Sequence, residues 1–198
     1  MANNRIELLA AHMSAGTRED GLAALDAGLQ AGDEAPLSVD ESRLLTQWLA
    51  RERSAYAQAY LWRLLYSGPL LPEAVNLALR WLEELQLGHR GAALAYLRRH
   101  RPDLMPRLAE QFSRDSDAGV RYELAQFWLP TRPDEAVDLM IDALAGADHE
   151  GFDAMTFEIC EYGKSTHLER LGKLDADAGG NSGFGRVAEA LRSRLEGD

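Results

Sequence analysis

An all-α fold, with helix pairs stacked one on the next into a solenoid, is what this 198-residue sequence predicts. Three observations carry that prediction. First, Pro72–Leu82 reads PEAVNLALRWL and Asp134–Leu144 reads DEAVDLMIDAL, so at an offset of 62 Glu73-Ala74-Val75-Asn76-Leu77 falls on Glu135-Ala136-Val137-Asp138-Leu139. Second, a related text, RPDLMPRLAEQF, sits midway, with Arg101-Pro102-Asp103 31 residues before Arg132-Pro133-Asp134 and Leu77, Leu108 and Leu139 in register. A fixed period of this length in helical text marks stacked helix pairs, because a single pair cannot bury its own apolar face. Third, apolar residues recur at helical spacing, as in Val137, Met140, Ile141 and Leu144, and no alternating strand-like run is found.

The elements follow in order. Ile6–Met13, Leu22–Leu29 and the stripe Leu44, Leu45, Trp48, Leu49 predict helices in residues 1–53, where the period fades into diverged repeats or an N-terminal cap. Regular repeats are expected over 54–174. Their first helices lie near 54–66, 89–99, 118–129 and 149–162, and each is followed by a short turn and a second helix. Ser67-Gly68-Pro69, Gly88, Arg101-Pro102, Gly146 and Gly163 punctuate the pattern. Ser38 with Glu41, Thr131 with Asp134 and Thr166 with Glu169 have the spacing of helix starts, where a hydroxyl accepts an orphan N–H and the acid answers it. Residues 175–198 hold a glycine-rich loop, GGNSGFG, and a capping helix near Arg186–Leu195. The whole chain is expected to form a single array.

At Asp117-Ala118-Gly119-Val120-Arg121, followed by an apolar helix, a turn and a second helix, the sequence resembles the HEAT repeat in its short form of about thirty residues. The resemblance covers roughly residues 54–174. It implies a right-handed α-solenoid of antiparallel pairs, in which the Asp and Arg bridge neighbouring repeats and the second helices line the concave side. Some short-repeat proteins of this group are hydroxylases that hold iron with several His-Glu pairs. This chain carries one such pair, His149-Glu150, so the ligand set is incomplete and no metal or other cofactor is expected.

Charge directs the functional reading. The net charge is −11, and from Pro133 to Gly163 nine acids (Asp134, Glu135, Asp138, Asp142, Asp148, Glu150, Asp153, Glu158, Glu161) meet no Lys or Arg. Such a field repels phosphate backbones and attracts cationic surfaces. Asp134, Asp138 and Asp142 stand at i, i+4 and i+8 on one helical face, where like charges repel by a few tenths of a kcal/mol per pair. A solvated face and a recognition face both fit that row. In register, the position before the shared Leu reads Asn76, Arg107 and Asp138, and the one three after it reads Arg80, Gln111 and Asp142. Core positions persist while these vary, as a solenoid would grade its inner surface from neutral or basic to acidic, and as exposed sites that simply tolerate change would also do. The candidate partner-binding set is therefore Asn76, Arg80, Arg107, Gln111, Asp134, Glu135, Asp138 and Asp142.

Other signals are weaker. The basic segment LRRHR, with His89, Arg90 and Arg107, suits helix C-termini or the acidic neighbouring repeat better than phosphate. The tryptophans Trp48, Trp62, Trp81 and Trp128 and the tyrosines Tyr56, Tyr60 and Tyr66 sit mostly at core spacing, and the single Cys160 reads as a core residue. GGNSGFG lacks the Lys-Ser/Thr ending of a phosphate loop. The five histidines form no ligand pair at i, i+4. No stretch approaches the roughly 20 apolar residues of a membrane helix, and MANNRIELLAAHMS has no basic, apolar leader pattern, so a cytoplasmic protein is expected. The expected function is a non-enzymatic module that grips a basic protein partner, with no nucleic acid and no membrane, in an immunity or antitoxin-like role or as an adaptor. The alternative is an enzyme or ligand carrier with a pocket in the groove, for which a cleft shared by His149, Glu150 and His167 would be the sign. Oligomeric state is not encoded in these signals.

Overall fold

The computed structural model describes residues 6, 15–84, 88–180 and 182–197. Among them there are eleven α-helices and no strand. The helices are α1 (Ala15–Ala31), α2 (Val39–Leu49), α3 (Ala55–Ser67), α4 (Pro72–Glu83), α5 (Arg90–His100), α6 (Met105–Phe112), α7 (Ala118–Trp128), α8 (Pro133–Ala143), α9 (His149–Tyr162), α10 (Ser165–Asp177) and α11 (Gly183–Gly197). The apolar stripe of Ile6–Met13, apart from the buried Ile6, and His12 lie outside the described residues. The chain groups into two compact units, one ending at Leu104 and one starting at Met105.

In the first unit α3 packs on α1, α2 and α5, and α4 packs on α5 and α2. Alternate helices therefore meet. Leu61, Trp62, Leu64, Leu65, Leu82, Leu94, Tyr96 and Leu97 form a closed core around α3 and α5, each worth about 1.5–3 kcal/mol if a fully buried aliphatic or aromatic side chain. Trp62 and Trp81 meet edge to face at 5.7 Å, and the Tyr96 ring lies 6.0 Å from Trp62. Between alternate helices run polar ties: Arg63 to the buried Asp26 at 2.9 Å, Ser54 to Glu19, Arg43 to Glu73 at 3.5 Å, and the His100 ring to the Tyr66 carbonyl at 3.2 Å.

The second unit has the same habit. α7 packs on α6, α8 and α9, α8 packs also on α9 and α10, and α11 packs on α9 and α10. Leu124, Val137, Met140, Ile141, Ile159, Leu171, Val187 and Leu191 are its buried apolar positions. The three leucines in register, Leu77, Leu108 and Leu139, are all buried, at 6%, 5% and 8% exposure. Gly163 ends α9 where a Cβ would lie 2.3 Å from the Ile159 carbonyl and 3.1 Å from Leu191, so the turn into α10 requires glycine.

Helix starts agree with the sequence at one of three places. Ser38 and Glu41 form a complete capping box, the hydroxyl accepting from the Glu41 N–H at 3.2 Å and the Glu41 carboxylate from the Ser38 N–H at 2.9 Å. Thr131 does not cap α8, because Arg132 occupies that position and Pro133, which has no N–H to satisfy, opens the helix. Thr166 is inside α10, whose first turn is closed by the His167 ring accepting from the Lys164 N–H at 3.0 Å. The aromatic residues also depart in part from the core expectation. Trp62 and Trp81 are buried, Trp48, Trp128, Tyr60 and Tyr66 are half-buried, and Tyr56 is exposed. Cys160 is half-buried rather than core, and burial pushes its thiol pKa up, which favours the unreactive form.

Candidate functional site

The predicted acidic row is on α8, whose first turn and Pro133 start put Asp134, Asp138 and Asp142 on successive turns of one face. The opposite stripe, Val137, Met140, Ile141 and Leu144, is buried. What the sequence reading did not foresee is the partner of that row. Lys164, His167 and Arg170, one turn apart at the start of α10, lie along it. Lys164 Nζ is 2.6 Å from Asp134, and Arg170 reaches Asp138 at 2.6 Å and Asp142 at 2.5 Å while also donating to the Asp138 carbonyl at 3.0 Å. His167 is 4% exposed, with its Nε2 4.0 Å from the Asp138 carboxylate.

These contacts set the electrostatics. The hydrogen bond from Lys164 holds the Asp134 carboxyl below the usual carboxylate range. Partial burial disfavours the charged Arg170 guanidinium, but its bonds to Asp142 and Asp138 outweigh that and raise its pKa. The row of three like charges is thus held together by two cations, which explains why it is tolerated at i, i+4 spacing. Asp138 and Asp142 keep about half their side-chain surface in water, at 51% and 50%.

The other candidates are placed as follows. Asn76 and Arg80 are exposed on α4 in the first unit. Arg107 and Gln111 are exposed on α6, and Glu135, also exposed, pairs with Arg132 at 3.3 Å in the second. Asp117 does not bridge repeats but caps its own helix, accepting from the Val120 N–H at 3.1 Å. The basic segment is largely committed within the first unit. The buried Arg90 donates twice to the Leu82 carbonyl at the end of α4, at 3.0 and 2.6 Å, Arg101 pairs with Asp103 at 2.7 Å, and Arg99 covers the Tyr66 ring.

His149 and Glu150 are exposed at the start of α9 whereas His167 is buried against α8, so the three do not line one cleft. Among the described residues no three His, Cys, Asp or Glu side chains are grouped as metal ligands, and no helix is long and apolar enough to cross a membrane. The glycine-rich loop turns through Gly179 and Gly180 at φ 88° and 76°, and Ser182 is tied to the Asp175 carboxylate through both its N–H and its hydroxyl, at 2.8 and 2.7 Å. A shallow groove of about 350 Å³ lies among Pro106, Glu110, Phe127, Trp128 and Arg132.

A residue the sequence reading missed stands on α9. Phe157 is 69% exposed, the most exposed large apolar side chain among the described residues. Its signal was available: it is half a turn out of phase with Met155 and Ile159, the buried stripe of the same helix. Comparison with known proteins adds no relative, since no family model, no curated protein and no solved structure matches this chain.

Proposed function

We propose that the chain is a HEAT-like helical-repeat module that binds a cationic protein partner through the acidic surface of residues 133–163, with no chemistry of its own. The observation that carries this reading is the half-exposure of the α8 carboxylates together with the exposed acids of α9. Lys164 and Arg170 take up part of the α8 charge, and no Lys or Arg lies within 133–163 to do the same for α9. A field of one sign at a surface speeds encounter with the opposite sign and rejects like charge.

The repeat reading draws support from the reach of the polar ties. In the second unit Lys164 binds 30 residues back, Arg170 binds 32 and 28 back, Glu158 binds Gln126 32 back, and Arg194 binds the Gly163 and Cys160 carbonyls 31 and 34 back. Those separations cluster at the 31-residue period, as they would if each helix lay beside its counterpart one repeat earlier. An inhibitor of a basic toxin and an adaptor both suit such a module, by analogy of architecture alone.

Affinity capture with the intact protein at low salt, followed by a salt titration, tests the proposal. A basic protein partner whose association rate falls steeply with ionic strength is the expected result. Recovery of no protein partner, or of one whose binding is indifferent to salt, would count against it.

A further inference from the structure

The binding reading leaves open where the partner is anchored, and the inference drawn next rests on that reading. We infer that the anchor is the outward face of α9, where Phe157 seats an apolar side chain of a cationic amphipathic segment and Glu150, Asp153 and Glu161 hold its Lys or Arg side chains. At about 100° per residue these four side chains, at i−7, i−4, i and i+4 around Phe157, fall within an arc of roughly 80°. Met155 and Ile159 on the opposite side are 1% and 0% exposed, so the orientation of the helix is fixed by its core and Phe157 is held in water as a consequence. Helix formation does not ask for it, because Phe is a mediocre helix former.

The charge of the face selects the occupant. Every charged side chain in the arc is acidic, and only His149, 3.1 Å from Asp153, stands beside it. Of the three arginines on the packed α11, Arg186 lies over the Phe152 ring at 5.1 Å, Arg194 donates to the Cys160 and Gly163 carbonyls at the end of α9, and Arg192 is exposed. On the other flank Gln126 of α7 donates to Glu158. A second copy docked about a two-fold axis would set these carboxylates against themselves, and an anionic lipid surface would be repelled in the same way. A basic segment with an apolar residue between its charges meets both the ring and the acids. A large apolar side chain that becomes buried on binding, with polar groups at its rim, is a common form of interaction anchor.

Two synthetic helical probes of equal positive charge test the assignment, one of Lys and Ala alone and one with Leu replacing Ala on a single face. Fluorescence anisotropy against the full chain should show the Leu probe binding more tightly. Phe157→Ala, an exposed change whose fold is checked by circular dichroism, should weaken the Leu probe about tenfold or more and leave the Ala probe unchanged. Asp153→Asn with Glu161→Gln should weaken both probes. If Phe157→Ala leaves the preference for the Leu probe intact, or if binding is lost with Asp138→Asn and Asp142→Asn instead, the anchor on α9 is refuted while the cationic-partner reading stands. If neither probe binds at low salt, both readings fall. If sedimentation shows self-association that Phe157→Ala abolishes, the occupant is a second copy and the inference is overturned.

Discussion

Arg170 offers the sharpest test of how the second unit is held together. The perturbation is Arg170→Met, which keeps much of the aliphatic stem and removes the guanidinium. Two half-exposed ion pairs contribute about 0.2–1 kcal/mol each, and the bond to the Asp138 carbonyl about 0.5–1.5 kcal/mol. The variant also exposes the carboxylates of α8 to one another, which adds a few tenths of a kcal/mol. Against these stand the entropy of fixing a long side chain and its partial desolvation, so the net loss should be about 1–2 kcal/mol. Asp138→Asn with Asp142→Asn should cost less, because neutralisation removes repulsion together with attraction. The assay is urea unfolding of the four corners of this cycle at low and high salt. The coupling energy should be about 0.5–1.5 kcal/mol and should shrink as salt screens the exposed pairs. A loss within about 0.3 kcal/mol of zero for Arg170→Met, or a coupling of zero, would refute the idea that this bridge fastens α10 to α8.

Three further outcomes are expected. Leu77→Ala, Leu108→Ala and Leu139→Ala should each lower stability by about 2–5 kcal/mol in urea unfolding, since all three are buried; a loss below about 1 kcal/mol at any of them would break the register. Ser38→Ala should cost about 0.5–2 kcal/mol, whereas Thr131→Ala and Thr166→Ala should cost far less because neither hydroxyl caps its helix. Burial holds the His100 ring below its ordinary value of 6.5, so the unfolded chain takes up a proton first; stability is complete above pH 6.5 and falls as pH drops below it, and His100→Asn should flatten that step in unfolding midpoints measured across it.

Much of the helical layout in both units could be read directly because its signals are local. The bounds of α9, and nearly those of α3, α5 and α7, follow from apolar spacing and from Gly68, Gly146 and Gly163, and the Ser38 box needs only residues three apart. The partners of the acidic row could not be read that way. Lys164 and Arg170 lie 30 and 32 residues beyond Asp134 and Asp138, and the run from Pro133 to Gly163 between them holds no Lys or Arg. The 31-residue offset held the clue, because the ties of the second unit run 28 to 34 residues back. Thr131 and Thr166 misled for a different reason: a proline and a histidine had already met the need that the hydroxyls were expected to meet. Phe157 was hidden by its type, since phenylalanine is counted as core until its phase on the helix is examined.

The short reach of the ties in the second unit bears on how the chain acquires its structure. None of the side-chain bonds described there closes a loop of more than 34 residues. Loop closure grows costly only slowly with length, but its cost must be met before the contact gives anything back, and in these ties it is met over 28 to 34 residues. Ties of so short a reach favour fast folding, because each forms soon after its two helices do. During synthesis α8 could therefore hold its three carboxylates ready before α10 has emerged, and Lys164 and Arg170 would complete the layer as they arrive.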